Sequence, residues 1–206
     1  MFLVEFLNSL IAITFLICFT YSIGTNFLKI ININNSFTSI IAGYCLIIII
    51  TNTLFFLDFK IQVIRNFLLL LFIISLFFIY TYHLKENILN LLKIFLNQIP
   101  IYIFLLLTIF IYGEQFYIFR GNHYDTINYT AMSLLSANFS YSEIAQIHLT
   151  QNNQFFLDFS GMFLHDRPTV SLIISLLYLP KIFDLFLVNY IFKIFFLVIV
   201  QQSFSY

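Results

Sequence analysis

Long apolar runs separated by short polar stretches dominate the chain. A helix that crosses a bilayer needs about 20 mostly apolar residues, because each residue advances about 1.5 Å against a hydrocarbon core about 30 Å thick. The runs that match this pattern in full or in part are Phe2 to Ile23, Ser39 to Phe59, Asn66 to Tyr82, Pro100 to Gly113, Thr169 to Leu179 and Leu185 to Val200. Since the fifth run is short for a full crossing, the pattern predicts an all-α, polytopic integral membrane protein with five or six transmembrane helices.

The stretch from 84 to 97 has a different periodicity. Its apolar residues recur at helical spacing, while Glu86, Asn90, Lys93 and Asn97 share the opposite face. An amphipathic helix of this kind suits the plane of the membrane interface. The alternative is that these residues form the polar start of a long fourth span.

Residues 114–168 are much more polar than the rest and divide the chain into three regions. Transmembrane helices are expected over 1–113 and 169–206, and a small helical loop domain between them. Within the loop, DTINYTAMSLLSANF is predicted to be helical with Asp125 as a candidate N-cap. Ser140 and Glu143 stand at the spacing of a capping box and predict the start of a second helix.

Composition supports the membrane assignment and excludes several classes of protein. Charged residues make up 9% of the chain and hydrophobic residues 61%, whereas soluble domains have about 25% charged residues. The net charge of zero gives no indication of a nucleic-acid partner. Cys18 and Cys45 lie inside apolar runs, so a disulfide is not expected. No Lys or Arg precedes the first apolar run, so that run is predicted to be a retained span and not a cleaved signal peptide.

The basic residues of the short loops give the orientation. If the loop domain is extracytoplasmic, the cytoplasmic side holds Lys29, Lys85, Lys93 and Lys181, and the opposite short loop holds Lys60 and Arg65. Since Lys and Arg are retained on the cytoplasmic side, this count favours an extracytoplasmic loop domain.

Asp125 is the most informative residue of the loop. His123 precedes it, and Asn128 and Tyr129 follow it on the same predicted helical face. A carboxylate at a helix start with an imidazole nearby can act as a general base or hold a divalent cation. The alternative is that Asp125 is an ordinary N-cap, which stabilises a helix by about 1 kcal/mol.

Two segments resemble a known family. RGNHYDTINYTAMSL, and HDRPTVSLIISLL where the loop returns to the bilayer, are similar to segments of the GT-C glycosyltransferases, such as the aminoarabinose transferases and protein mannosyltransferases. The resemblance implies transfer of a sugar from a polyprenyl-phosphate donor to an extracytoplasmic acceptor, at the cytoplasmic membrane of a bacterium. It also implies that Asp125 is the base or lies beside a metal, and that Arg167 and Pro168 mark re-entry into the bilayer. Since family members carry many more spans, the chain is expected to be the N-terminal part of such an enzyme.

The resemblance assigns further roles around Asp125. Arg167 is expected to hold the donor phosphate, because a guanidinium offers paired donors to phosphate oxygens; the alternative is an ordinary anchor at the headgroups. The remaining candidates for substrate binding are Arg120, His123, Asp166 and Tyr129. No cofactor is certain, and a divalent cation is left open. The expected partners are membrane lipid and the lipid-linked sugar, with the oligomeric state open.

Two other functions remain as alternatives. An O-antigen polymerase or ligase also has a large external loop, and its chemistry would depend on Arg167 more than on Asp125. A non-enzymatic membrane subunit or transporter fragment would place ionisable groups along a path inside its spans. Only Glu5 and Lys193 lie well inside the predicted spans.

Overall fold

The computed structural model describes residues 2–33, 36–112, 123–150, 154–165, 168–178 and 185–204, and all their regular elements are α-helices. The helices are α1 (Phe2–Ile30), α2 (Ser36–Phe56), α3 (Ile61–Asn97), α4 (Ile99–Tyr112), α5 (His123–Asn138), α6 (Tyr141–Thr150), α7 (Gln154–His165), α8 (Pro168–Leu177) and α9 (Leu185–Phe204). The predicted all-α class is confirmed for these residues.

Three helices among the described residues are long and apolar enough to cross a membrane. The candidate spans are Leu7–Ile30, Thr38–Phe56 and Ile61–Ile79. The apolar stretches Pro168–Leu177 and Tyr190–Gln201 are shorter. The fold is therefore compatible with an integral membrane protein, and the higher count of five or six spans stays a prediction.

Two predicted helix boundaries differ from the structure. The first apolar run ends at Ile23, where Gly24 predicts the end of the helix, but α1 continues through Gly24 to Ile30. The third span and the stretch 84–97 form one continuous helix, α3, of 37 residues. Because α3 is about 55 Å long, it exceeds the thickness of the hydrocarbon core. The location of residues 84–97 in the membrane interface stays a prediction.

The chain forms two compact units. Unit 1 comprises Met1–Ile47, Leu69–Ile118 and Tyr190–Tyr206, and unit 2 comprises Ile48–Leu68 and Phe119–Asn189. Helices α2 and α3 therefore contribute residues to both units.

In unit 1, α1 and α2 touch backbone to backbone at two glycines. A Cβ added to Gly24 would lie 1.8 Å from the Ser39 carbonyl oxygen, and one added to Gly43 would lie 1.8 Å from the Thr20 carbonyl oxygen. Small residues at i and i+4 on both helices permit this approach, as is common where membrane helices cross. The close crossing is the reason why Gly24 lies within a helix and does not end it.

Pro100 separates α3 from α4. It has no N–H to donate to Leu96, and the next amide, that of Ile101, bonds to the Gln98 carbonyl at 2.9 Å. The Asn97 carbonyl loses its usual helical donor and instead accepts a 2.5 Å hydrogen bond from the Gln201 side-chain amide of α9. The end of α3 is thus satisfied by another helix.

In unit 2, α8 forms the centre of a helical cluster. All six residues from Ser171 to Leu176 are buried, as expected for a helix surrounded by other elements. Helix α5 packs against α8 and α7, and α6 packs against α7. The fully buried ring of Phe55 contacts Phe163 edge-on, with 5.7 Å between the centroids. The predicted helices α5 and α6 are present, whereas no prediction was made for α7.

The glycine crossing makes a prediction about stability. Gly24→Ala and Gly43→Ala are each expected to destabilise the protein by about 1–3 kcal/mol, because the new methyl forces the two backbones apart. Thermal unfolding in detergent micelles, followed by circular dichroism, measures the effect. Cys45→Val, which enlarges an exposed residue of α2, serves as the control and is expected to stay near wild type. Equal melting temperatures for all four proteins would contradict the tight crossing.

Candidate functional site

The structure places only part of the predicted site. Arg120, Asp166 and Arg167 lie outside the described residues. His123 is the first residue of α5, so Asp125 lies in the first turn of the helix and does not precede it as an N-cap. Tyr129 lies one turn further along α5 and is partly buried. The candidate base therefore stands near the N-terminus of α5, where the helix dipole favours a negative charge.

The two segments that carry the family resemblance pack against each other. Most of their described residues lie in α5 and α8, and these two helices are in contact within unit 2. The hydroxyl of Ser136 on α5 donates to that of Ser175 on α8 at 3.1 Å, and both serines are fully buried. Small hydroxyl side chains allow two helices to approach closely while satisfying their polar atoms. Segments about 40 residues apart in the sequence are thus neighbours in space.

Arg65 of α3 holds the C-terminal end of α8. Its Nε donates to the Leu176 carbonyl at 2.7 Å, and one terminal nitrogen donates to the carbonyls of Ser175 and Tyr178, each at 2.9 Å. The last carbonyls of a helix have no partner within the helix, and the negative end of its dipole attracts a cation. A guanidinium satisfies several such carbonyls at once because its donors are fixed in one plane.

The other end of α8 is held by α2. The Thr169 hydroxyl donates to the side-chain oxygen of Asn52 at 3.3 Å. Asn52 in turn donates to the Ile48 carbonyl within its own helix. Helix α8 is therefore attached near both of its ends to the helices that frame unit 2.

The turn between α2 and α3 is attached to the start of α6 by a group of polar residues that we call the latch: Asp58, Lys60, Ser140, Ser142 and Glu143. Asp58 adopts a left-handed conformation with φ 71°. Its carboxylate accepts hydrogen bonds from the Ser142 amide and hydroxyl, both at 2.8 Å. Glu143 accepts the Ser140 amide at 2.8 Å and pairs with Lys60 at 2.9 Å. The capping-box prediction is confirmed by the bond between Ser140 and Glu143.

The hydrogen bonds of the latch change its acid–base chemistry. The backbone and side chain of Ser142 lower the pKa of Asp58. The pKa of Glu143 is lowered, first by the Ser140 amide and then by Lys60. Both groups are exposed, so solvent screens these interactions. The ionised carboxylates are nevertheless the forms that bind the start of α6.

Helices α6 and α7 meet at a histidine and a serine that the sequence did not single out as a pair. His148 Nδ1 lies 3.1 Å from the Ser160 hydroxyl. Gly161 makes room for the imidazole, since a Cβ there would lie 3.2 Å from His148 Cε1. Because Ser160 is fully buried, a substrate does not reach its hydroxyl. The pair joins the two helices and is not a nucleophilic site.

Unit 1 contains a second polar arrangement, which we call the polar seam. It comprises Thr14, Cys18, Tyr21, Thr25 and Lys29 of α1, together with Glu86, Asn87, Asn90, Gln98 and Tyr102 of the α3–α4 region. The buried Tyr21 hydroxyl donates to the side-chain oxygen of the buried Asn87 at 3.1 Å. The spacing of 14, 18, 21 and 25 is a helical signal in the sequence, but it was hidden within the first apolar run.

No group of three or more His, Cys, Asp or Glu residues that could hold a metal ion occurs in the described part of the chain. No known protein family, curated protein or solved structure matches the chain.

The contact of Arg65 with α8 gives a second prediction. Arg65→Met is expected to destabilise unit 2 by about 2–4 kcal/mol, because carbonyls of a buried helix end lose charged donors. Arg65→Lys is expected to recover only part of this loss, since an ammonium lacks the planar set of donors. Thermal unfolding of the purified protein measures both effects. A wild-type melting temperature for Arg65→Met would show that solvent satisfies these carbonyls.

The latch gives a prediction about pH. The folded-state pKa values of Asp58 and Glu143 are lowered, so their contribution is complete above the unfolded values of about 4. It is lost as the pH falls through the folded values. The melting temperature of the wild type should therefore fall, relative to Asp58→Asn with Glu143→Gln, as the pH is lowered from 5 to 3, an interval on the order of the unfolded values.

The single variant Asp158→Asn is the control for this measurement. Asp158 is an exposed carboxylate of α7 that accepts a hydrogen bond from Gln154 at 2.8 Å, and it is not part of the latch. Its pH dependence should follow that of the wild type. If the double variant also followed the wild type over the whole range, the latch would not contribute to acid sensitivity.

Proposed function

We propose that the protein is all or part of a membrane glycosyltransferase of the GT-C type. It transfers a sugar from a polyprenyl-phosphate donor to an acceptor on the extracytoplasmic side. The observation that supports this proposal is the packing of α5 against α8. The segment that contains Asp125 and the segment that follows Arg167 belong to one cluster of helices, as a shared site requires.

In the proposed reaction, the Asp125 carboxylate removes a proton from the acceptor hydroxyl. The acceptor oxygen then bonds to the anomeric carbon of the sugar, while the bond between that carbon and the phosphate oxygen breaks. The polyprenyl phosphate leaves with the electron pair, and Arg167 stabilises its charge through paired donors. Asp166 orients Arg167, and a divalent cation beside Asp125 remains compatible with this scheme.

The other predicted residues bind the substrates. Arg120 contributes a second cation for the phosphate, His123 carries protons near Asp125, and Tyr129 contacts the sugar ring. Each of these residues lies in or next to α5.

The proposed topology has five or six spans, with α5, α6 and α7 forming a lid on the extracytoplasmic side of a bacterial cytoplasmic membrane. The latch supports this arrangement because it ties the turn between α2 and α3 to α6. If α2 and α3 are spans, the turn and the lid then share one side of the membrane.

The proposal makes a direct prediction. Asp125→Asn should abolish transfer, because an amide has no basic lone pair to take the proton, with a loss on the order of 10²–10⁴-fold. Membranes containing the protein are incubated with a panel of radiolabelled polyprenyl-phosphate sugars and a cell-envelope acceptor extract, and transfer is counted. Asp158→Asn, an exposed carboxylate of α7, is the matched control and should retain wild-type transfer.

Other outcomes distinguish the alternatives. Full activity of Asp125→Asn would remove the proposed base. Loss of glycan joining in Arg167→Gln, with Asp125→Asn unaffected, would favour an O-antigen polymerase or ligase. Absence of transfer from every donor, with the protein correctly inserted, would favour a non-enzymatic membrane subunit.

A further inference from the structure

The polar seam of unit 1 contains a buried side chain whose polar atoms have no hydrogen bond within the described residues, the carboxamide of Gln98. The buried hydroxyls of Thr25 and Tyr102 each lie beside one hydroxyl of α1, on Tyr21 and Thr14 respectively. Gln98 is fully buried, and Thr25 is 7% exposed. Unit 2 has two buried hydroxyls without a hydrogen bond, on Thr51 and Ser171. The seam differs from unit 2 because its unpaired atoms include both polar atoms of one side-chain carboxamide, that of Gln98.

Polar side chains of α1 face the α3–α4 region, which runs in the opposite direction, and Gln98 lies one turn before Tyr102 in that region. Asn26 of α1 donates to the Ser75 carbonyl at 2.9 Å, and Tyr21 donates to Asn87. Further along, Thr14 and Cys18 lie beside Tyr102. As the residue number increases along the α3–α4 region, the residue number of the neighbouring α1 residues decreases. From Thr14 to Lys29 the seam follows α1 for about 22 Å.

The energetic cost of leaving these atoms unpaired is large. A buried hydroxyl or amide without a partner costs roughly 1–3 kcal/mol in a protein, and more where lipid replaces water outside. The Gln98 carboxamide alone has two donors and an acceptor to satisfy. Native proteins meet such a demand with bound water or with a ligand.

We propose that the polar seam is hydrated, with water entering at the exposed Glu86, beside Asn87 and Tyr21, and reaching Gln98 and Tyr102. This inference does not depend on sugar transfer. It assigns to unit 1 an aqueous path along α1, which contains a candidate membrane span.

The chemistry of the seam selects water as the occupant. Thr14, Cys18, Tyr21, Thr25, Asn87, Asn90, Gln98 and Tyr102 are all neutral, whereas the charged residues of the seam are Lys29 in the last turn of α1 and Glu86 next to Asn87. An ion that stayed bound in a dry interior without a counter-charge would be costly, whereas water along the path would solvate a cation in transit. Hydroxyl and carboxamide groups both donate and accept hydrogen bonds. Water also does both, so it can satisfy them. Glu86 is exposed, so its carboxylate marks the entrance for water.

Two native cysteines allow a matched test. Cys18 lies in the seam, whereas Cys45 is exposed on α2, where a membrane would surround it with lipid. The variant Cys45→Ala reports on Cys18, and Cys18→Ala reports on Cys45. Each full-length protein in liposomes is exposed to Ag⁺, a small cation that travels through water and blocks thiols. The remaining thiol is then counted with a fluorescent maleimide after denaturation.

The hydrated seam predicts that Ag⁺ blocks Cys18 about tenfold faster than Cys45, because thiolate forms and reacts only where water has access. Adding Gln98→Leu and Tyr102→Phe to the Cys45→Ala protein removes groups that bind the water. The Ag⁺ reaction at Cys18 should then slow by about tenfold. Equal rates at the two cysteines, or a Cys18 rate unchanged by these substitutions, would overturn the proposal.

A second measurement on the unmodified protein keeps the test independent of folding defects in the variants. Hydroxyl-radical footprinting in ¹⁸O-labelled water marks side chains that contact ordered water. Tyr21 and Tyr102 should incorporate the label about tenfold faster than Tyr44 of α2, which packs against Phe195 at 5.9 Å between ring centroids. Labelling of Tyr21 and Tyr102 no faster than that of Tyr44 would show a dry seam.

Discussion

The arrangement of unit 2 depends on how the ends of one short buried helix are satisfied. Helix α8 has 10 residues and is surrounded by protein, so its terminal carbonyls cannot rely on bulk water. Arg65 reaches them from α3 and neutralises the negative end of the dipole. Because α5 packs on α8, and α7 packs on α5, an error at this single guanidinium would extend to most of the unit.

The two units differ in how they satisfy the polar atoms of a largely apolar chain. In unit 2, charged side chains cap helix ends: Arg65 binds α8, and Asp58 and Glu143 bind the start of α6. In unit 1, glycines bring α1 and α2 into backbone contact, and neutral groups line the seam. Capping satisfies individual helix ends, whereas in the seam the buried Gln98 carboxamide has no hydrogen-bond partner among the described residues.

The sequence predicted the features that arise from local patterns. Apolar runs of about 20 residues identified the long helices, and the spacing of Ser140 and Glu143 identified the start of α6, which the structure confirms. Contacts between distant residues were not predictable in this way. The sequence indicated that Arg65 is a charge in a short loop, because its partner α8 is more than 100 residues away. It indicated that Gly24 ends a helix, because the contact with Gly43 lies on another helix.

Scarce charges in a membrane protein need either a structural partner or a functional reason, because each one is costly near lipid. The structure gives Asp58, Lys60, Arg65 and Glu143 such partners. These four residues surround the attachment of α6 and α8, and their roles are structural. The concentration of Arg120, His123 and Asp125 before and within the start of α5, and of Asp166 and Arg167 before α8, follows a different rule. In the sequence, these residues lie in the first turn of α5 or shortly before α5 and α8, the two helices that pack together in unit 2. We therefore propose that function depends on the N-terminal ends of α5 and α8, whereas the charges of the other four residues hold helices in place.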